Sequence, residues 1–272
     1  QSKEYNLAPV TESANDERMF RLGIHHDNSD YYIDNIVLDT YLVANGQTLD
    51  YCVKNTSSNY TVISSPILTV EGKELTIKTS RYTYWNSVVE GCGRINLMSG
   101  GERTFLGNSS KAYPDWTKFT GDLHVYPYKE VEGSCGFYGL VWMHNGKTFI
   151  ADDPIQSAND GKVNKCLANA SLYLHEGSTM AAEQGLRGMR IGKLEMEKGS
   201  VLTGYYKSKS AQNSYYMIGN GDFNATLAGR IAPWQDNMSM KVGLIKEGKG
   251  TYRITGNDNL VTGGITILDG KV

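Results

Sequence analysis

The stretch "GLIKEGKGTYRITGNDNLVTGGITILDGKV", residues 243–272, decides the fold class. It contains short alternating apolar runs, such as "TYRIT" and "GITIL", separated by glycine-rich segments. Alternation with a period of two is typical of half-buried strands, and Gly and Asn favour the turns between them. The stretch therefore predicts short strands joined by tight turns, and it contains no residue pattern that indicates catalysis.

The same pattern occurs earlier in the chain. Residues 93–125 read "GRINLMSGGERTFLGN", a loop of ten residues, and "FTGDLHV". Residues 243–267 read "GLIKEGKGTYRITGN", three residues, and "VTGGITI", and a looser copy lies at 218–231. A unit of this size cannot bury its apolar face alone, but stacked neighbours form a continuous core. The repeats therefore predict an all-β solenoid.

Stacking assigns a direction to each side chain. We expect ladders of inward apolar residues and of outward polar residues, because alternate side chains on a strand point to opposite faces. The inward positions are Leu75, Ile77, Ile95, Leu97, Leu123, Val125, Ile265 and Ile267, and the outward ones, which we expect to face water, are Thr76, Asn96, His124 and Thr266. Gly107-Asn108, Gly219-Asn220 and Gly256-Asn257 are predicted corners, because these residue types tolerate unusual backbone angles.

Composition excludes several partners. The 272 residues carry a formal charge of −2, with acidic and basic residues mixed, so no basic footprint indicates nucleic acid or an anionic membrane. The sequence contains no run of 18 apolar residues, so no transmembrane helix is predicted. Phosphate-binding loops of the P-loop or dinucleotide type are absent from the sequence, so no cofactor is predicted.

Metal binding is not predicted either. Cys52, Cys92, Cys135 and Cys166 are widely spaced and lack the clustered spacing of zinc ligands. We interpret them as buried apolar side chains, although the sequence is also compatible with a disulfide between Cys52 and Cys92. The segment His25-His26-Asp27 is the most metal-like cluster, and we interpret it as an exposed turn.

Residues 242–272 resemble the autotransporter-associated β-strand repeat. The matching positions are Gly243, Leu244, Lys246, Gly248, Gly250, Thr251, Gly256, Asn259, Gly263, Gly264, Thr266 and Gly270, with departures at Ile254 and Val261. The segments "IGKLEMEKGSVLTGYY", 191–206, and "VVEGCGRINLMSGGERTFLGN", 88–108, are similar to further coils of such proteins. The resemblance covers residues 70–272 and is specific over the last eighty.

The resemblance implies a right-handed, single-stranded parallel β-helix over residues 46–272, in a protein secreted or displayed on a Gram-negative-type cell surface. It supplies no catalytic residues, and we expect neighbouring coils or domains in a longer protein. Residues 1–45 are predicted to form strands packed against the helix. Their "YYIDNIVL", 31–38, is similar to the closing strand of β-sandwich carbohydrate-binding modules.

Three functions follow as hypotheses. The first is a non-catalytic β-helical stalk or display segment, in an adhesive setting or as a spacer. The second is a glycan-binding module that uses an aromatic platform at Tyr82, Tyr84, Trp85 and Trp116, since sugars stack on exposed rings. The third is a polysaccharide lyase or hydrolase centred on Asp152 and Asp153, although consecutive strand residues point to opposite faces.

Overall fold

The structure, a computed structural model, is built almost entirely from short strands. It describes residues 41–52, 60–79, 82–100, 103–106, 116–129, 140–143, 162–182, 186–204 and 213–272. The strands of the first half are β1 Leu42–Val43, β2 Thr48–Tyr51, β3 Tyr60–Ile63, β4 Ile67–Thr69, β5 Glu74–Thr79, β6 Tyr82–Trp85, β7 Val89–Gly91, β8 Arg94–Gly100, β9 Arg103–Leu106, β10 Asp122–Tyr128 and β11 Leu140–Met143. Those of the second half are β12 Lys162–Leu174, β13 Thr179–Ala182, β14 Leu186–Met196, β15 Val201–Thr203, β16 Asn213–Ile218, β17 Ala225–Leu227, β18 Arg230–Ala232, β19 Lys241–Lys246, β20 Tyr252–Ile254 and β21 Gly264–Ile267. A single 3₁₀ turn, Trp234–Asp236, is the one helical element among the described residues.

The strands form three sheets, and every described pairing between them is parallel. One sheet has the order β1-β4-β7, and a second has the order β18-β15-β13-β11-β9-β6-β3. The third contains eleven strands along the path β2-β5-β8-β10-β12-β14-β16-β19-β21, with β17 and β20 beside it. From β1 to β9 the chain visits the three sheets in turn, and from β10 to β15 it alternates between the two larger ones. Within each sheet, a strand pairs with the strand that the preceding coil contributes. This is an all-β parallel β-helix, which confirms the predicted fold class.

One continuous core fills the inside of the coils. It extends from Ala44 in the first coil to Tyr252 near the last, and its members are buried aliphatic and aromatic side chains. The rungs Leu75, Ile95 and Leu123 are in register and fully buried, and so are Ile77, Leu97 and Val125. These predicted inward ladders are confirmed. Burial of apolar surface contributes about 25 cal/mol for each Å², so this core is the main source of the stability of the fold.

The glycine corners have two different physical causes. Gly219 has φ +84°, a left-handed conformation that favours glycine, as predicted for the Gly219-Asn220 corner. A Cβ on Gly256 would lie 1.9 Å from the Gly229 carbonyl oxygen of the preceding coil. Gly256 is therefore required by close approach of two coils and not by an unusual backbone angle. Gly107-Asn108 lies outside the described residues.

The last coil departs from the prediction. Ile265 and Ile267 were expected to point into the core, but they are 42 % and 50 % exposed. Their strand β21 pairs with β19, and no other described strand pairs with it. The burial of an inward side chain depends on a neighbouring coil at each edge, and this prediction is wrong because one neighbour is lacking among the described residues.

Several other predictions concern undescribed parts of the chain. The N-terminal strands, including "YYIDNIVL", and the His25-His26 cluster lie outside the described residues, so the division at residue 45 stays a prediction. Cys92 is exposed and Cys52 and Cys166 are half-buried, so the prediction of buried cysteines is wrong for these three, while Cys135 lies outside the described residues. Cys92 is a free cysteine, so the Cys52–Cys92 disulfide is not formed. In the described ranges, no helix is long and apolar enough to cross a membrane.

Candidate functional site

The predicted aromatic platform does not form at the two tryptophans. Trp85 and Trp116 are both 0 % exposed, and their rings meet edge to face with centroids 4.8 Å apart. The Trp116 indole N–H donates to the Ser87 carbonyl over 2.9 Å, and the Trp85 indole N–H donates to the Ser87 hydroxyl over 2.5 Å. A sugar needs an accessible ring face, so the prediction that these tryptophans are exposed is wrong. The structure brings them together as part of the core.

The other predicted site residues are separated from this pair or are undescribed. Tyr84 lies on β6 and stacks on Phe105 of the next coil, with ring centroids 4.6 Å apart. This contact occupies one face of the Tyr84 ring. Tyr82 begins the same strand, and its side chain lies outside the described part of the structure. Asp152 and Asp153 also lie outside the described residues, so their catalytic role stays a hypothesis.

A different aromatic cluster lies on the outer face of the eleven-stranded sheet. His124 and Tyr126 alternate with the core residues of β10, while Tyr173 and His175 come from the next coil, at the end of β12. The rings stack nearly parallel: the centroids of His124 and Tyr173 are 4.3 Å apart at 3°, and those of Tyr126 and His175 are 3.9 Å apart at 8°. We call these four residues the ring ladder.

Hydrogen bonds join the two histidines of the ring ladder to a third coil. His124 Nδ1 lies 2.8 Å from His175 Nε2, and His175 Nδ1 lies 2.9 Å from Glu197 Oε1. The other carboxylate oxygen of Glu197 accepts the backbone N–H of Glu176 over 3.0 Å. An ionised carboxylate can only accept, so His175 Nδ1 carries a proton. In the neutral pair His175 Nε2 therefore accepts the N–H of His124 Nδ1.

Polar side chains hold both ends of the ring ladder. Arg94 Nη2 donates to the Tyr126 hydroxyl over 2.9 Å, and Lys193 Nζ donates to the Tyr173 hydroxyl over 3.2 Å. Lys193 also pairs with Glu195 at 2.6 Å, while Arg94 lies 3.6 Å from Glu74. The charges on this face are therefore largely balanced within the chain. The ladder presents ring edges and hydroxyl groups to the outside, not a field of one sign.

The surroundings favour neutral histidine and ionised glutamate. Burial, assisted by the nearby positive charge of Arg94, lowers the pKa of His124 to about 3. Glu197 loses some solvation, but the Glu176 amide and His175 together hold the pKa of its carboxyl below the ordinary value. His124 is thus a neutral group at neutral pH, although it stands on the outer side of the sheet.

The ring ladder has the groups for recognition by hydrogen bonding. No group of three or more His, Cys, Asp or Glu side chains suited to a metal ion occurs in the described ranges. No nucleophile within the ladder pairs with a base, since its histidines hydrogen bond to each other and to Glu197. The Tyr126 and Tyr173 hydroxyls keep hydrogen-bonding capacity beyond the bonds they accept from Arg94 and Lys193, and they are chemically suited to sugar hydroxyls.

Lys246, a matching position of the repeat, is a structural lysine. Lys246 is 0 % exposed. Its ammonium group donates hydrogen bonds to the backbone carbonyl of Glu247 and, over 2.6 Å, to that of Gly248. The same nitrogen lies 5.3 Å from the centre of the Tyr252 ring. Burial lowers the pKa of this ammonium. The lysine therefore binds corner carbonyls of its own coil, and no catalytic role follows.

Sequence reasoning placed His124 on the outer face and expected it to face water, which is wrong: the residue is only 8 % exposed, because Tyr173 and His175 of the next coil stack on its ring. It missed Tyr173, His175 and Glu197. The coil between Asp122 and its register partner Ser171 is much longer than the others, so the repeat is hard to follow there. A usable signal exists in "SLYLHEGS", 171–178, and "KLEMEKGS", 193–200. The two segments align without a gap, and Ser171 and Lys193 are in register in the structure.

The sequence matches no protein-family model, and a comparison with curated proteins finds no similar sequence. The resemblance to the autotransporter-associated repeat therefore stays a prediction.

Proposed function

We propose that this chain is a non-catalytic, stalk-like or display segment of a secreted or cell-surface protein of a Gram-negative-type bacterium. The continuous core from Ala44 to Tyr252 carries the proposal. Each coil is held by the coils beside it, so the stack acts as a spacer that gains about 4.8 Å per coil. Arg190 and Glu247, on two different coils, form a two-hydrogen-bond ion pair that ties the outer surface together.

Deleting one coil tests the spacer role. Glu74 and Arg94 are in register, so removal of residues 75–94 joins Glu74 to Ile95 and preserves the inward and outward alternation. A spacer is expected to keep its fold and its surface display, because no single coil carries the function. A matched deletion of residues 75–93 shifts the alternation by one and should prevent folding. Equal folding of both variants would contradict the stacked arrangement.

Surface labelling tests the location. The full-length gene is expressed in its own host with an epitope placed before Gln1, and intact cells and medium are probed with antibody. We expect the epitope on intact cells or in the medium. Recovery of the epitope from lysed cells alone would overturn the proposal.

Glycan binding by the ring ladder is a second candidate. It is favoured by the hydroxyl groups of Tyr126 and Tyr173, which stand beside imidazole edges on one outer face. Tyr126→Phe and Tyr173→Phe keep the rings and remove the hydroxyls, so they should weaken binding on a glycan array. Trp116→Phe is the matched control, since Trp116 is buried away from any ligand. Absence of binding by the unmodified chain to every glycan on the array would remove this candidate.

A further inference from the structure

Three successive coils meet at the two histidines of the ring ladder. His124 belongs to β10, His175 directly follows β12, and Glu197 directly follows β14. Backbone hydrogen bonds cross the same coils at this point: the His175 N–H donates to Val125 O over 3.1 Å, and the Glu197 N–H donates to Leu174 O over 2.9 Å. The side-chain contacts therefore reinforce a line of backbone pairing.

The number of protons decides whether the side-chain contacts can form. With no added proton, His124 donates to His175, and His175 donates to Glu197. With one added proton, His175 is an imidazolium that donates to both neighbours, while His124 presents an unprotonated Nδ1. With two added protons, both facing nitrogens carry hydrogen. Two like charges then face each other over 2.8 Å, and the hydrogen bond is lost.

We propose that His124, His175 and Glu197 form an acid-sensitive latch, which joins three coils while the histidine pair holds at most one added proton and opens on the second. The latch is a property of the fold and does not depend on the proposed display function.

The charged groups around the latch come from every strand packed against it. Arg94 of β8 lies on the His124 side and disfavours a positive His124. Lys193 of β14 acts in the same direction, and Glu197 opposes both. Tyr126 and Tyr173 stack on the two imidazoles and exclude water from their faces. Glu195 pairs with Lys193, so it offsets that lysine and is not a direct partner of either histidine.

The direction of the effect follows from linkage. The pKa of His124 is about 3 in the folded chain and near 6.5 in an unfolded one, so the unfolded chain binds more protons between these values. The contribution of His124 to stability is therefore complete above about pH 6.5 and decreases as the pH is lowered towards 3. Within that window, one such group raises the unfolding equilibrium constant about ten-fold for each unit by which the pH falls.

The experiment compares the unmodified chain with His124→Gln between pH 7 and pH 4. The glutamine amide can donate to His175 Nε2, or accept from it when that nitrogen carries a proton, but it takes up no proton itself. In the unmodified chain, His124 should raise the unfolding equilibrium constant, measured by urea titration, about ten-fold for each unit by which the pH falls. We expect His124→Gln to lose this part of the pH dependence. Thr76→Ala is the matched control, because Thr76 occupies the same outward register position two coils before His124 and does not titrate. It should change stability equally at every pH.

Two further readouts keep the proposal falsifiable if His124→Gln does not fold. In the unmodified chain, the hydrogen-exchange protection of the His175 and Glu197 amides should fall as the pH approaches about 3, where His124 takes up its proton, before protection is lost elsewhere in the core. Imidazole ¹⁵N shifts should show His124 neutral down to about pH 4. The proposal is overturned if His124→Gln keeps the full acid sensitivity, or if His124 titrates near its ordinary pKa.

Discussion

Gly121→Ala tests the stacking of coils at a single atom. Gly121 precedes β10 and is buried against Gly93 of the preceding coil. A Cβ built on Gly121 would lie 1.9 Å from the Gly93 carbonyl oxygen and 2.8 Å from Phe119 Cε2. That oxygen accepts the backbone N–H of Asp122 over 3.2 Å. The methyl group therefore pushes apart two coils at a point where a hydrogen bond joins them.

The expected cost follows from these contacts. Real Cβ atoms essentially never approach another heavy atom within 3.0 Å, so backbone must move at this position. Overpacking together with a lost hydrogen bond predicts a loss of about 3 to 4 kcal/mol in the free energy of unfolding. For a chain of this size, that loss lowers the melting temperature by about 6 to 12 °C.

The assay is urea unfolding at pH 7, with hydrogen exchange at Asp122 as the local readout. Gly72→Ala is the matched control: Gly72 has φ +69° but nothing within 4 Å of its added Cβ. It should cost only about 1 to 2 kcal/mol, from the left-handed backbone conformation. If Gly121→Ala costs no more than Gly72→Ala, the coils are not stacked at the described distance.

Two more substitutions test other contacts between coils. Trp116→Phe removes the N–H that satisfies the buried Ser87 carbonyl, so we expect a loss of about 2 to 3 kcal/mol in urea unfolding; a loss below about 0.5 kcal/mol would refute the buried contact. Glu247→Gln removes the negative charge and one of the two oxygens that accept hydrogen bonds from Arg190, at 2.8 and 3.1 Å. We expect this substitution to lower the free energy of unfolding by about 1 to 3 kcal/mol. Glu90→Gln, at a more exposed ion pair, should lower it by less than about 1 kcal/mol. Equal losses for the two variants would contradict this difference.

Local sequence pattern was sufficient for the direction of the strand side chains. Leu75 and Ile77 alternate with Thr76 because covalent geometry sends successive side chains to opposite faces, whatever the neighbouring strand is. The same rule placed Leu123 and Val125 inside and His124 outside. It failed at Ile265, because burial also requires a coil on each side, and alternation within one strand carries no information about neighbours.

Long-range register was beyond the sequence pattern. Tyr173 stacks on His124 because Ser171 pairs with Asp122 across a long insertion, and insertion length does not reveal which residues meet. Trp85 and Trp116 were assigned to the surface because aromatic residues suit both exposed platforms and cores. Their burial depends on a contact between two coils, which period-two alternation within either segment does not encode.

The most direct test of the stacked-coil account is a set of long-range proton contacts by NMR. Asn96 is in register with Thr76 on one side and with His124 on the other. We therefore predict backbone contacts from Asn96 to both residues, in the pattern of parallel strands. Contacts of the antiparallel kind between strands that follow each other in the sequence, such as β5 and β6, would instead show hairpins and would contradict the parallel β-helix.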